Sequence, residues 1–380
     1  MISVVGVGES AYSRRSGQSV QALAATAGRM ALRDAGLAAK DIDGVIPLGG
    51  SLFTEDLITT LGLPLQLIDA SPPPGGNGAV TALRLGSALI EAGRATTVLI
   101  VLARNGSSAK RIDQRVAALP GPQFRQQLEH PHGWSTPAEW YAMICRRHML
   151  DYGTTKRQLA AVALAANRYA QLNPRAMRFG QPLSLDDYVR SPMIAEPYQL
   201  YDCCLETDGA AAVVISDRQL SVGTRPRAVP LLAVETARPE SPDDLTNRQD
   251  WHQVGLSHAA PVAYNNAGLG PADLDAVMIY DCFSFEVIHQ LEAAGFCSPG
   301  SGGRFVESGA LDPHGTFPLN THGGLLAEGH LGGLNHVIEA VRQLRGEAGA
   351  AQLETARHVA VTGWGDWGDG SLAILGGPAC

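Results

Sequence analysis

The residues of this chain best suited to acid–base chemistry gather late in it. Tyr280-Asp281-Cys282 ends an apolar run, and His322 and His330 lie in the glycine-rich stretch Asn320–Asn335. A phenol, a carboxylate and imidazoles are groups that move protons at a reacting centre. As a base, Tyr280 has to lose its proton well below the ordinary tyrosine value of roughly 10, or pass it to a neighbour. Its other reading is a strand-end aromatic whose hydroxyl bonds to backbone. Asp281 either tunes Tyr280 or caps a helix. His330 either shuttles a proton or caps the helix that follows, and His322 either lines a pocket or stabilises its turn. Upstream, Gly75, Gly76 and Gly78 form a turn ahead of a helix. Such a turn leaves room for a bulky substituent, and the helix's first N–H groups can meet an oxyanion. A loop needing positive φ accounts for the same glycines.

The remaining candidates are weaker. Cys203-Cys204 and Cys297 read as core, since buried cysteine behaves as a small hydrophobe, and His258 reads as solvated. The six cysteines contain no CxxC pair, and His130-Pro-His132-Gly-Trp134 lacks a complete ligand set. No metal site is expected.

Buried strands and amphipathic helices have to position these groups. Strands are predicted at Ile2–Val7, Gly44–Leu48 and Thr97–Leu102, with helices over Val20–Ala35 and Ala79–Ala92. The order recurs as strands Leu231–Glu235, Ala276–Tyr280 and His358–Thr362, with helices Leu256–Ala267 and Leu334–Arg345. The letters repeat too: ALRDAGLAAKDIDGVI at 31–46 returns as AYNNAGLGPADLDAVM at 263–278. Each copy is a helix end, a C′ glycine, an acidic cap and an apolar strand. Asp208-Gly209 and Asp369-Gly370 each read as a tight turn before a closing strand. A period this long marks a duplicated fold, not a solenoid.

The copies differ in length. About 110 residues separate Val98 from Asp208, against about 10 between Val359 and Asp369. The first half therefore carries an insertion, Asn105–Leu205, long enough for a small domain. Pro120–Pro137 reads as its loop, and Ala138–Tyr152 and Lys156–Gln171 as its helices. The expected division is 1–104 plus 206–222 for the first half, 105–205 for the insertion and 223–380 for the second half.

Low aromatic content, 6%, with abundant Ala and Gly, suits close-packed α/β layers. The net charge of −8 argues against a nucleic-acid partner. No apolar run approaches the roughly 20 residues of a membrane span. MISVVGVGES reads as a strand and turn rather than a signal peptide, so the expected location is cytoplasmic.

Asn320-Thr-His-Gly-Gly-Leu-Leu-Ala-Glu-Gly-His330-Leu-Gly-Gly-Leu-Asn335 resembles the NxxGGxxxxGHPxGxxG signature of thiolases. Tyr280-Asp-Cys-Phe-Ser-Phe-Glu286, followed by Leu291-Glu-Ala-Ala-Gly-Phe-Cys297, is similar to the matching segment of the sterol-carrier-protein-type thiolases. The resemblance spans essentially the whole chain. It implies an α/β thiolase fold: two duplicated βαβαβαββ halves in a five-layered α-β-α-β-α arrangement, with a loop-domain insertion. It also implies a homodimer acting on coenzyme A thioesters, with CoA as part of the substrate and no tightly bound cofactor. In that frame Cys282, His322, Gly324, Gly365, Gly76 and Gly78 are substrate-binding positions. Arg146, Arg147 and Lys156 are candidates for the CoA phosphates, with solvated charge as their default reading.

One departure redirects the chemistry. Thiolases place a nucleophilic cysteine at a helix start in the first half, where the helix N-terminus lowers its pKa. Here that segment reads Asp69-Ala-Ser-Pro-Pro-Pro-Gly-Gly-Asn-Gly-Ala79, and no cysteine precedes Cys145. The second thiolase cysteine is also missing from Val361-Thr-Gly-Trp-Gly-Asp366. Cysteine-free members resembling this chain include the lipid-transfer-protein aldolases of steroid side-chain catabolism. They cleave a β-hydroxyacyl-CoA by a retro-aldol reaction, which needs a base and enolate-holding donors but no acyl-enzyme. Tyr280, His330 and Asp281 would carry that chemistry. The aldolases tend to have Tyr at the column of His330, so this histidine departs from them. Such proteins often associate with a small subunit containing an OB fold and a zinc ribbon. Two other readings stay open: a non-catalytic thiolase-like subunit, and Claisen-type acyl transfer through a partner thiol.

Overall fold

The computed structural model describes residues 1–49, 51–64, 67–72, 75–108, 127, 129–218, 221–222, 225–226, 228–240, 248–365 and 368–377. The first half runs β1 (Ser3–Glu9), α1 (Val20–Ala35), β2 (Gly44–Leu48), α2 (Thr54–Leu61), β3 (Ile68–Asp69), α3 (Gly78–Glu91) and β4 (Thr97–Asn105). The insertion supplies α4 (Pro137–Tyr152), α5 (Lys156–Ala170), α6 (Leu185–Arg190) and a hairpin of β5 (Met193–Ala195) with β6 (Tyr198–Gln199). β7 (Asp208–Ser216) closes the half, and a second small hairpin pairs β8 (Ser221–Val222) with β9 (Arg225–Pro226). The second half runs β10 (Val229–Ala237), α7 (Gly255–Ala267), β11 (Ala276–Met278), α8 (Ser284–Ala293), α9 (Gly302–Glu307) and α10 (Gly324–Ala327). It ends with α11 (Leu334–Arg345), β12 (His358–Trp364) and β13 (Gly370–Gly376).

The duplication shows in the strand order β11-β12-β13-β10-β1-β7-β4-β2-β3. Read outward from the β1–β10 seam, the first half runs β1, β7, β4 and β2 and the second β10, β13, β12 and β11, with the short β3 added at the edge of the first. The pairings match as well: β2–β4 and β11–β12 are parallel, β4–β7 and β12–β13 antiparallel. The repeated letters turn out to be repeated devices. Gly36 and Gly268 end α1 and α7 at φ 68° and 66°, a left-handed conformation that glycine adopts without steric cost. Asp43 accepts the N–H of Thr97 at 2.8 Å, and Asp275 that of His358 at 2.9 Å. Each aspartate thus clamps its strand to the start of the neighbouring parallel strand.

Alternation along the strands builds five layers. Val98, Ile100 and Leu102 of β4 pack in one core with α3 and α11, while Leu99, Val101 and Ala103 pack in another with α1. The central core also holds Val359, Val361, Ala373 and Leu375 of the second half. Val277, Ala360, Leu372 and Ile374 face a third core formed with α7, α8, α4 and α5. Helix, sheet, helix, sheet, helix is the resulting stack. Each buried Val, Ile or Leu stabilises it by about 1.5–3 kcal/mol.

Four expectations need correction. Asp208-Gly209 is the start of β7, not a tight turn. The Asp208 carboxylate replaces the turn by accepting the N–H groups of Ser16, Ser107 and Ser108. β11 stops at Met278 instead of Tyr280, because side chains take over its backbone groups. Asn320 pairs with both the N–H and the carbonyl of Ile279, at 2.7 and 2.9 Å. Residues 120–126 and 128 of the loop expected over Pro120–Pro137 lie outside the described residues; within the rest, His130–His132 forms a short 3-10 turn and Pro137 already belongs to α4. Finally, the space beside Gly76 is filled by the Tyr280 side chain of the second half.

Candidate active site

Tyr280 leaves β11 with its backbone fixed by a closed ring of bonds. Its N–H donates to Thr362 Oγ1 at 3.0 Å, and its carbonyl accepts from Gln290 Nε2 at 2.7 Å. Thr362 donates in turn to Gln290 Oε1 at 2.6 Å. The Tyr280 ring lies between two glycines. A Cβ built on Gly76 would collide with Tyr280 Cζ and with the Trp364 carbonyl, and one on Gly333 would reach Tyr280 Cδ2 at 3.1 Å. At Gly76 the turn therefore leaves no room for a substituent of the substrate, whereas a Cβ on Gly75 would meet open space. The space at Gly76 holds the tyrosine.

The Tyr280 hydroxyl lies 3.1 Å from His330 Nε2, a side-chain partner rather than backbone. His330 sits between α10 and α11, held by its own N–H to Thr207 Oγ1 at 2.9 Å. It does not cap α11, where Gly333 occupies the N-cap with φ 85°. On its other side, His330 Nδ1 is hydrogen-bonded to the guanidinium of Arg104. No sequence motif marks Arg104. Its signal is a lone cation near the carboxyl end of the apolar strand β4, where open α/β sheets gather their ligand sites.

Asp281 turns the opposite way and is fully buried. Its carboxylate accepts the N–H groups of Leu325 at 2.8 Å and Leu326 at 3.3 Å, capping α10, and meets His336 Nε2 at 3.2 Å. Gly324 is glycine because a Cβ there would run into that carboxylate. His336 Nδ1 faces His322 Nε2 at 3.0 Å. Burial holds His322 well below the ordinary histidine range, and holds Glu328 beside it well above the carboxylate range. Asp281, Gly324 and His322 thus form a sealed structural network with His336, a residue the motifs did not single out.

The other candidates fall into ordinary roles. The Cys282 carbonyl accepts Cys204 N–H at 2.9 Å, and Cys282 packs in the core that holds Tyr141 and Phe283. Gly365 turns the β12–β13 hairpin, with its carbonyl accepting the Tyr141 hydroxyl at 3.1 Å. Gly78 opens α3, its N–H donating to Gly75. Arg147 pairs with Asp151 and Lys156 with Glu196, while Arg146 and His258 are exposed. Among the described residues no cluster of His, Cys, Asp and Glu is arranged to hold a metal ion.

Residues 239–376 match the family model described as thiolase C-terminal domain-like. A 17-hydroxy-3-oxo-4-pregnene-20-carboxyl-CoA lyase of Mycobacterium tuberculosis is 34% identical, over 95% of both chains. A steroid side-chain-cleaving aldolase of Thermomonospora curvata is 32% identical, over 90% of both. Among solved structures, the Ltp2-ChsH2(DUF35) aldolase superposes with a TM-score of 0.90 at 30% identity, covering 99% of this chain and 97% of that one. The chain belongs to the thiolase superfamily, in the group formed by sterol-carrier-protein-type thiolases and side-chain-cleaving aldolases.

Proposed function

We propose that this protein cleaves a bulky, sterol-like β-hydroxyacyl-CoA by a retro-aldol reaction, releasing a ketone and a shorter acyl-CoA. One observation carries the reading: the turn that would present a nucleophilic cysteine instead packs against Tyr280, whose hydroxyl meets His330. The thioester stays intact. The Tyr280–His330 pair removes the β-hydroxyl proton, and the Cα–Cβ bond breaks as the ketone carbonyl forms. The electron pair passes to the thioester enolate, which takes a proton at carbon. In this reading N–H groups at the start of α3 hold the enolate oxygen.

The reaction needs no tightly bound cofactor, because coenzyme A arrives with the substrate. The assembly that fits is a homodimer with a small OB-fold and zinc-ribbon subunit. The pairing of Ltp2 with ChsH2(DUF35) in the similar solved structure supports a partner subunit. A cytoplasmic location is part of the same reading; among the described residues no helix is long and apolar enough to cross a membrane.

Incubation of the protein and its partner with tertiary β-hydroxyacyl-CoA thioesters tests the reaction. Stoichiometric ketone and shortened acyl-CoA are expected. No ketone from any such thioester rejects it. Turnover unchanged in Tyr280→Phe would indicate a non-catalytic subunit, and label passing to an acceptor thiol would indicate acyl transfer.

A further inference from the structure

Arginine carries hydrogen-bond donors only. His330 Nδ1, bonded to the Arg104 guanidinium, is therefore an acceptor and bears no proton. The proton of the neutral ring sits on Nε2, which donates to the Tyr280 oxygen at 3.1 Å. We propose that Arg104 is a positioning residue: by fixing this tautomer it makes His330 a donor and assigns the base role to the Tyr280 oxygen as phenolate. The inference rests on the retro-aldol reading and divides labour within its catalytic pair.

With Nδ1 engaged and Nε2 protonated, His330 has no lone pair to offer a substrate hydroxyl. Tyr280 O⁻, stabilised by the Nε2–H bond and the guanidinium behind it, takes the proton and becomes Tyr280 O–H. The alkoxide electrons form the ketone carbonyl, the Cα–Cβ pair moves to the enolate, and Tyr280 O–H returns its proton to the enolate carbon. The phenolate is thereby restored, and the cycle closes without another reagent.

The surroundings agree with this assignment. The start of α3, residues 75–80, brings no charge to the ring. β12 brings Trp364, α8 brings Gln290, and α11 brings His336, whose ring centroid is 6.4 Å from that of Tyr280. The Asp281 carboxylate is committed to α10. Cys204 shares the field of Arg104, but burial pushes its thiol up to about 12 despite that cation, with Asp281 and Glu206 adding to the rise. The thiol stays neutral.

Near-ultraviolet titration of the substrate-free protein with its partner reads the phenolate directly. The difference between the native protein and Tyr280→Phe should show one phenolate forming below the usual tyrosine value of about 10. Arg104→Met should move that transition upward by about one pH unit or more, whereas Arg104→Lys, still a donor to Nδ1, should hold most of it. If Arg104→Met does not fold, His330→Ala removes the same donor and should give the same upward movement. A transition unmoved in the variant that folds overturns the inference, as does a Tyr280 phenolate that forms only in the ordinary range. With a tertiary β-hydroxyacyl-CoA at neutral pH, Arg104→Met should lose kcat with KM nearly unchanged. The loss should be roughly tenfold for each pH unit by which the phenolate transition has risen. A deficit that does not recover as pH rises also counts against it. Titration needs no turnover. If the phenolate behaves as expected and no thioester is cleaved, the retro-aldol reading fails while the role of Arg104 stands.

Discussion

Tyr280 and Asp281 are neighbours in the chain and serve two networks of similar composition. On one side, tyrosine, histidine and arginine meet, with His330 and Arg104 only partly buried. On the other, aspartate, two histidines and glutamate are shut away from solvent. Residue type does not separate them; access does, through His330 and Arg104, since Tyr280 itself is buried. A group has to be reachable to exchange a proton with substrate, whereas a buried polar group has to be satisfied by its neighbours.

Four measurements can break or sharpen that contrast. Tyr280→Phe removes the group that exchanges the proton, and kcat should fall by about 10²–10⁴-fold with the fold intact. A loss under tenfold, in a protein with native circular dichroism, would put the chemistry elsewhere. Gly76→Ala drives a Cβ into the Tyr280 ring and the Trp364 carbonyl. Displacing the reacting oxygen by about 1 Å should cost up to about 10²-fold in kcat, read on the folded fraction, since overpacking of this kind also lowers stability by about 1–3 kcal/mol.

Asp281→Asn acts on the sealed side. It weakens the cap of α10 and the bond to His336, and should lower stability by about 1–3 kcal/mol in denaturant unfolding. The kcat of the folded fraction should stay within a few-fold; a hundredfold fall would return Asp281 to the reaction.

Asp202 gives the smallest effect. Burial raises its carboxyl to about 6, against bonds from Ser284, Gln199 and Tyr188 that pull it down. Its value is above the unfolded one, so the native state binds the extra proton between roughly pH 4 and 6, and stability falls as pH rises through that window. Asp202→Asn should flatten this slope, measured as the denaturation midpoint against pH.

Much of this architecture was legible locally. The helices Val20–Ala35 and Leu334–Arg345 and the strand Gly44–Leu48 have the predicted limits, and the structure adds a Ser19 side-chain cap at the start of the first helix. The paired letters around Asp43 and Asp275 became paired clamps. Contacts between distant positions were harder to read. Arg104 and His330 are 226 positions apart, and no local pattern joins them. His336 reads as one more polar residue of α11 until Asp281 is seen facing it. Gly76 misled in sign: a missing side chain there marks the approach of Tyr280, and the letter alone does not say whether substrate or protein comes close.

The slot between Gly76 and Gly333 also bears on entropy. Tyr280 has few rotatable bonds, and its ring is already confined before any thioester enters. Immobilising a rotamer-rich side chain during binding costs about 0.5–1.5 kcal/mol, and a tyrosine with two torsions costs less. Here that loss of freedom is met during folding, so it does not recur in each catalytic cycle.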